Sequence, residues 1–168
     1  FLMTKYGRRC FQKEKERGKE LFKQMETPLL KYGQGMQILL KELDLNQALA
    51  KENEEERMQI EAPEEVRIIN PSELSKEEQE WYWEGLVSAK ENKFLALHTA
   101  IMNDAKILII PQNVTCKVPI KIHSHLKKKA KAETIIIIAE GNSSVQIIEE
   151  SSSEKEAYYK SQVVQVYA

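Results

Sequence analysis

The sequence predicts a mainly β fold with some α structure: the rungs of a parallel β-helix, preceded by a helical N-terminal segment. Three observations carry this prediction. First, the runs Ile107-Leu108-Ile109-Ile110, Ile135-Ile136-Ile137-Ile138 and Val163-Val164-Gln165-Val166 begin at intervals of 28 residues. Second, weaker segments that are apolar at every second position, Val118-Pro119-Ile120-Lys121-Ile122 and Val145-Gln146-Ile147, follow the first two runs at matching places. Third, turn residues, Pro111-Gln112-Asn113 and Glu140-Gly141-Asn142, stand at equivalent corners. Self-similarity at a fixed period of this size marks a solenoid, in which each unit buries its apolar surface against the next. Ile and Val favour pleated, half-buried surfaces. Runs apolar at every position suit strands covered on both faces, as in parallel sheets, and alternating ones suit one wet face. A little over two rungs are visible, at or below the roughly three that such a stack needs.

The elements follow in order. Residues 8–26 read as a helix in which Phe11, Leu21, Phe22 and Met25 share a stripe; Gly18 weakens its middle and Thr27-Pro28 ends it. Tyr32-Gly33-Gln34-Gly35 is a turn, with neither the preceding strand nor the following Gly-Lys-Ser/Thr of a phosphate cradle. The apolar run 36–40 fits strand or helix, and 43–47 continues with alternation. Residues 51–57, with four Glu, read as a solvated charge run. Val66-Arg67-Ile68-Ile69 is a short strand stopped by Asn70-Pro71. Ser75-Lys76-Glu77-Glu78 fits a capping box opening a helix through Trp81, Trp83 and Leu86. Residues 92–103 form a second helix that delivers the chain to Ile107, and the serine-rich stretch 151–156 is a polar return to the third rung. The expected division is a mixed helical segment over 1–92 and rungs over 93–168.

Positive and negative charges nearly cancel, at net −1, so no global pull toward nucleic acid or a membrane follows. No apolar run approaches the ~20 residues of a membrane helix, and the opening residues lack the core of a signal peptide. Cys10 and Cys116 have no framework spacing, which points to a reducing compartment, the cytoplasm. The chain opens on Phe1 and stops inside a strand pattern, as part of a longer protein or an unusually short member of its kind would. Few residues suggest chemistry. His123 and His125 share one side of an extended segment, and with Cys116 and His98 they are the candidate metal ligands, though no second pair has ligand spacing. Lys127-Lys128-Lys129-Ala130-Lys131 is the one strong basic patch; without interleaved aromatics it reads as a solvated loop and not a nucleic-acid platform. Cys116 reads as a small buried hydrophobe. No arginine follows Arg67 and no aspartate follows Asp104, which argues against a β-helical carbohydrate-active enzyme, and no Ser-His-Asp set is visible.

The stretches 93–100 (Lys-Phe-Leu-Ala-Leu-His-Thr-Ala), 106–111 (Lys-Ile-Leu-Ile-Ile-Pro) and Val118-Pro119-Ile120 resemble the SufB/SufD family, scaffold proteins of the SUF iron–sulfur cluster assembly system. Residues 134–141 are similar to the family's next rung, and 21–35 more loosely to the helical leader of SufD-like members. The resemblance implies a right-handed parallel β-helix flanked by helices, with a non-catalytic role. It also implies partnership with a SufC-type ATPase and a SufB-type subunit or a homodimer, and an iron–sulfur cluster in the assembled complex. The absence of a cysteine-rich cluster segment tilts the resemblance toward SufD. No catalytic or cluster-ligating residue of the family maps onto this chain. The competing expectations are a β-helical carbohydrate-active protein and a small metal-binding module.

Overall fold

The computed structural model describes residues 12–27, 30–32, 36–38, 44–50, 57–75, 77–78, 87–127, 130–155 and 159–168. Its content is mixed α/β. Helix α1 (Gln12–Gln24) carries Glu14 in its first turn and Lys23 in its last, the arrangement that complements the helix dipole. Strands β1 (Leu30–Tyr32) and β2 (Met36–Ile38) pair antiparallel, so the ambiguous apolar run is strand over its first three residues. The alternation expected around 43–47 gives way to a short helix α2 (Leu45–Ala50), whose Leu45 and Ala48 are buried on one side at i, i+3. The turn at 33–35, the charge run at 51–56, Phe11, Cys10 and the helix through Trp81, Trp83 and Leu86 lie outside the described residues. The capping box that opens that last helix is formed: Ser75 N–H donates to Glu78 Oε2 at 2.9 Å and Glu78 N–H to Ser75 Oγ at 3.2 Å.

Helix α3 (Lys93–Ile101) starts where Asn92 Oδ1 accepts from the N–H groups of Phe94 and Leu95, each at 3.0 Å. It passes directly into strand β5 (Met102–Ile110), which begins five residues before the aliphatic run. Strands β6 (Ile120–Leu126), β7 (Ala130–Ala139), β8 (Ile147–Ser153) and β9 (Tyr159–Tyr167) complete the repeats. The three runs of the sequence lie in β5, β7 and β9, which are adjacent and parallel, and β6 and β8 form a second parallel pair. The register differs from the 28-residue spacing. Ile135 lies beside Lys106 and Val164 beside Ile135, an offset of 29, whereas Ile147 lies beside Ile120, an offset of 27. A bulge makes Asn103 an extra residue in β5, and its Oδ1 accepts from Ala132 N–H at 3.3 Å. The serines at 151–153, read as a return, belong to β8.

The segment before α3 also supplies β3 (Gln59–Glu61) and β4 (Arg67–Ile69). These pair antiparallel with β6 and β5 and cover one edge of each parallel sheet. An edge covered by a short strand of opposite direction is blunted against further pairing. The corners stack as well. Asn113 and Asn142 take positive φ, 62° and 58°, and Asn142 Nδ2 donates to Asn113 Oδ1 at 3.2 Å. Asn tolerates this backbone region better than other residues bearing a Cβ. Beside them, Gln112 N–H donates to Glu140 Oε2 at 2.9 Å.

Both faces of the first two aliphatic runs are largely buried, as expected of covered parallel strands, whereas in the third Val164 and Val166 are exposed, 46% and 60%. Leu108, Ile110, Ile135 and Ile137 meet Ile120, Ile122, Met58 and Val66 in a core between the two parallel sheets. Ile107, Ile109 and Ile136 pack on the opposite face with Leu74. Further back along that face, Ala130 and Ala132 are small enough for a helical layer of Phe22, Ala48, Leu97, Ala100 and Ile101 to sit on the sheet. No helix among the described residues is long and apolar enough to cross a membrane.

Candidate functional site

Three places among the described residues bring polar groups together, the first two set by strand alternation. The first is inside the space between the parallel sheets. Odd-numbered positions of β7 face that interior, and its first two are Lys131 and Glu133, both fully buried. The ammonium of Lys131 stands 2.7 Å from Glu133 Oε1, an ion pair by distance that is not aligned as a hydrogen bond. Ser124 of β6 donates to Glu133 Oε2 at 2.5 Å, and Lys160 of β9 lies 3.5 Å from the same oxygen while donating to Ser151 at 2.6 Å. The neighbouring position on β5 repeats the theme. Buried Asp104 accepts from Met58 N–H at 2.7 Å, with Lys106 at 3.6 Å and Arg57 at 3.9 Å. Burial raises the Asp104 carboxyl above its ordinary range, opposed by Lys106, the Met58 N–H and Arg57. The basic run of the sequence is therefore not one solvated patch. Lys127 is exposed, Lys131 is in the core, and Lys128 and Lys129 lie outside the described residues.

The second place is the outer face of the three-stranded sheet. Strand β6 alternates: Ile120, Ile122, Ser124 and Leu126 are buried, while Lys121, His123 and His125 are not. His123 Nδ1 is 2.9 Å from Glu150 on β8, and its Nε2 is 4.0 Å from Glu61 on β3. His125 Nδ1 shares a 2.8 Å hydrogen bond with Ser152 Oγ, and its Nε2 is 3.9 Å from Glu154. The i, i+2 spacing showed that the two histidines share a face. Glu150 and Ser152 come from β8, paired with β6 at an offset of 27 residues, and Glu61 from antiparallel β3, which the sequence pattern did not reveal.

The third place is His98, buried where α3 crosses β7 and β9. Its Nε2 lies 2.9 Å from Thr134 Oγ1, and its Nδ1 lies 2.9 Å from Ser161 Oγ. Thr134 donates its hydroxyl hydrogen to Met102 Sδ at 3.2 Å, so it must accept from Nε2–H, and Ser161 then donates to Nδ1. The ring is thus satisfied while neutral, and burial lowers its pKa to about 4. The unfolded chain takes up the proton near pH 6.5, the folded one near 4, so stability is whole above 6.5 and is lost as pH falls through that window. The expected loss at pH 4 is about 3 kcal/mol. Asp104, with its raised pKa, contributes with the opposite sign, so the measurement is the difference between the wild type and His98→Gln in urea denaturation at pH 7 and pH 4.5. The variant should show the shallower pH dependence.

The four candidate metal ligands are not brought together. His98 is bound to Thr134 and Ser161, and His123 and His125 lie on the outer face of the three-stranded sheet. Cys116 is half-buried at the corner before β6 and packs against the core between the sheets. Desolvation, with Glu65 nearby, pushes its thiol pKa up, so it is not poised as a thiolate. Among the described residues no three His, Cys, Asp or Glu side chains form a group ready to hold a metal ion. Set against the models of known protein families and against curated proteins, the chain matches none.

Proposed function

We propose that this chain is a non-catalytic scaffold subunit of the SufD kind, cytoplasmic, acting in iron–sulfur cluster assembly through complexes with a SufC-type ATPase and a SufB-type partner or a second copy. The finer architecture belongs to the same reading: β5 to β9 are successive rungs of a right-handed parallel β-helix, with β3 and β4 as its edge cover. The observation that carries the reading is the pair of parallel ladders. A helix runs without a break into β5, and the strands then return at an offset of 29 residues beyond the bulge at Asn103 in one sheet and of 27 in the other. That arrangement is what the resemblance around residues 93–120 leads one to expect. Supporting it, the buried polar groups are paired inward, as in a structural core. Lys131 and Glu133, fully enclosed, have no route to a substrate. A surface built from two flat ladders and their corners suits protein docking better than turnover.

The test is co-purification. The chain, tagged and co-expressed with a SufC-type ATPase and a SufB-type subunit, should be retained with at least one of them in a defined ratio by size-exclusion chromatography. Elution of all three as separate species at micromolar concentration removes the reading.

A further inference from the structure

We propose that residues 57–70, which carry β3 and β4, form a strap that opens from the two parallel sheets as a unit, with Asp104 of β5 as its latch. The inference is independent of the scaffold reading. The strap is one continuous segment laid across both sheets. β3 pairs with β6 and β4 with β5, and a tight turn between them is closed by Val66 N–H donating to Pro63 O at 3.0 Å. Each strand is paired at three positions, against seven to nine between the parallel neighbours. Met58 and Val66 are buried in the core between the sheets, with Ile60 and Ala62 partly buried beside them. Gln59, Glu61, Glu64, Glu65, Arg67 and Ile68 are exposed. A segment with short ladders and few buried apolar groups belongs at the low end of local opening free energies.

Both ends of the strap meet one polar network on β5. At the entry, Asp104 Oδ2 accepts from Met58 N–H at 2.7 Å, and Oδ1 lies 3.9 Å from Arg57. At the exit, Lys106 donates to Asn70 Oδ1 at 2.6 Å, and the same ammonium lies 3.6 Å from Asp104 Oδ1. The carboxylate thus holds the entry directly and the exit through Lys106. Asp104 is buried, where a hydrogen bond to a charged acceptor is stronger than at the surface. Asp104 and Lys106 both stay on β5 when the strap lifts. Lifting uncovers the edges of β5 and β6, rows of N–H and C=O groups with which another strand can pair.

Hydrogen exchange of the intact chain, followed amide by amide over low concentrations of urea, tests the proposal. In the wild type the β3 and β4 amides should share one opening free energy, with protection roughly tenfold or more below that of β7 and a shallower dependence on urea. Asp104→Asn keeps the shape but removes the charge, and should lower strap protection roughly tenfold. Asn70→Ala leaves Asp104 intact and should act on both strands in the same direction, less strongly. Gly18→Ala, in α1 and away from the strap, should lower the protection of β7 while the strap keeps its wild-type value. Three results would each overturn the proposal. The first is strap amides that match β7 in protection and urea dependence, or β3 and β4 opening at unrelated energies. The second is strap protection unchanged in both Asp104→Asn and Asn70→Ala. The third is Gly18→Ala lowering strap and β7 alike.

Discussion

Lys131→Met is expected to destabilise the chain by about 3–5 kcal/mol, because it leaves the Glu133 carboxylate buried without its nearest counter-charge. Glu133 is fully enclosed, and its remaining partners, Lys160 at 3.5 Å and the Ser124 hydroxyl, both act on Oε2. Oε1 would then face neither water nor a cation. The pair need not be strongly stabilising for this to hold, since the Coulombic gain of a buried ion pair is largely offset by desolvation of both groups. A second substitution separates the two statements. In Lys131→Met combined with Glu133→Leu, neither charge remains to be desolvated, and Lys160 keeps its bond to Ser151 and its partial exposure to water. Most of the lost stability should return. Urea denaturation of the two variants reads the result: a single substitution costing under about 1 kcal/mol would place Lys131 at the solvated surface, as the basic run in the sequence first suggests. A double variant worse than the single one would make the pair a net stabiliser.

Such a pair was within reach of sequence reasoning and was hidden by composition. Lys127-Lys128-Lys129-Ala130-Lys131 reads as one positive patch, yet Ala130-Lys131-Ala132-Glu133 is a strand alternating two alanines with two opposite charges. Both faces of that strand are covered, one by helices and one by the second sheet, so both the small and the charged residues are interior. The aliphatic runs were legible for the same physical reason that they pair: branched side chains at consecutive positions need cover on both faces. Their spacing of 28 was a composite. Apolar content fixes where the runs begin, but hydrogen bonding fixes the register, and the two sheets take offsets one residue above and one below. Only the start of strand β8 is marked, by the alternation of Val145-Gln146-Ile147; its continuation to Ser153 is polar and exposed, so no apolar alternation extends it and the serines resemble a return. Strand β3 escaped because three residues are too few to show a period. In the outer histidine cluster, the shared face of His123 and His125 followed from their spacing, whereas Glu61, Glu150, Ser152 and Glu154 arrive through pairing across distant segments.

The glycine in α1 offers the second large effect, one whose sign separates local from tertiary causes. In an isolated helix, Gly18→Ala should stabilise by about 1 kcal/mol, since alanine loses less backbone freedom on folding. Here a Cβ at position 18 would stand 2.6 Å from the backbone N of Ala100, and 3.0 Å from both Ala96 O and Thr99 C, all on α3. Backbone atoms cannot turn aside as a flexible side chain does, so the two helices would have to separate. Separation would thin the contact of Phe22 with Leu97 and Ala100 and draw the ring away from the Lys93 ammonium that lies 4.8 Å from its centre. The expected net outcome is a loss of about 1–3 kcal/mol for Gly18→Ala, and more for Gly18→Val. For a chain of this size that lowers Tm by roughly 2–4 °C per kcal/mol. A higher Tm in Gly18→Ala would mean that α1 does not rest on α3 in solution. The pH dependence supplies an internal control, because His98 is anchored to Thr134 and Ser161 on the sheet and not to α1. If the substitution lifts α1 while α3 stays seated, stability falls at every pH, yet the loss between pH 7 and 4.5 keeps its wild-type slope. A slope flattened toward that of His98→Gln would show instead that α3 has left the sheet with it.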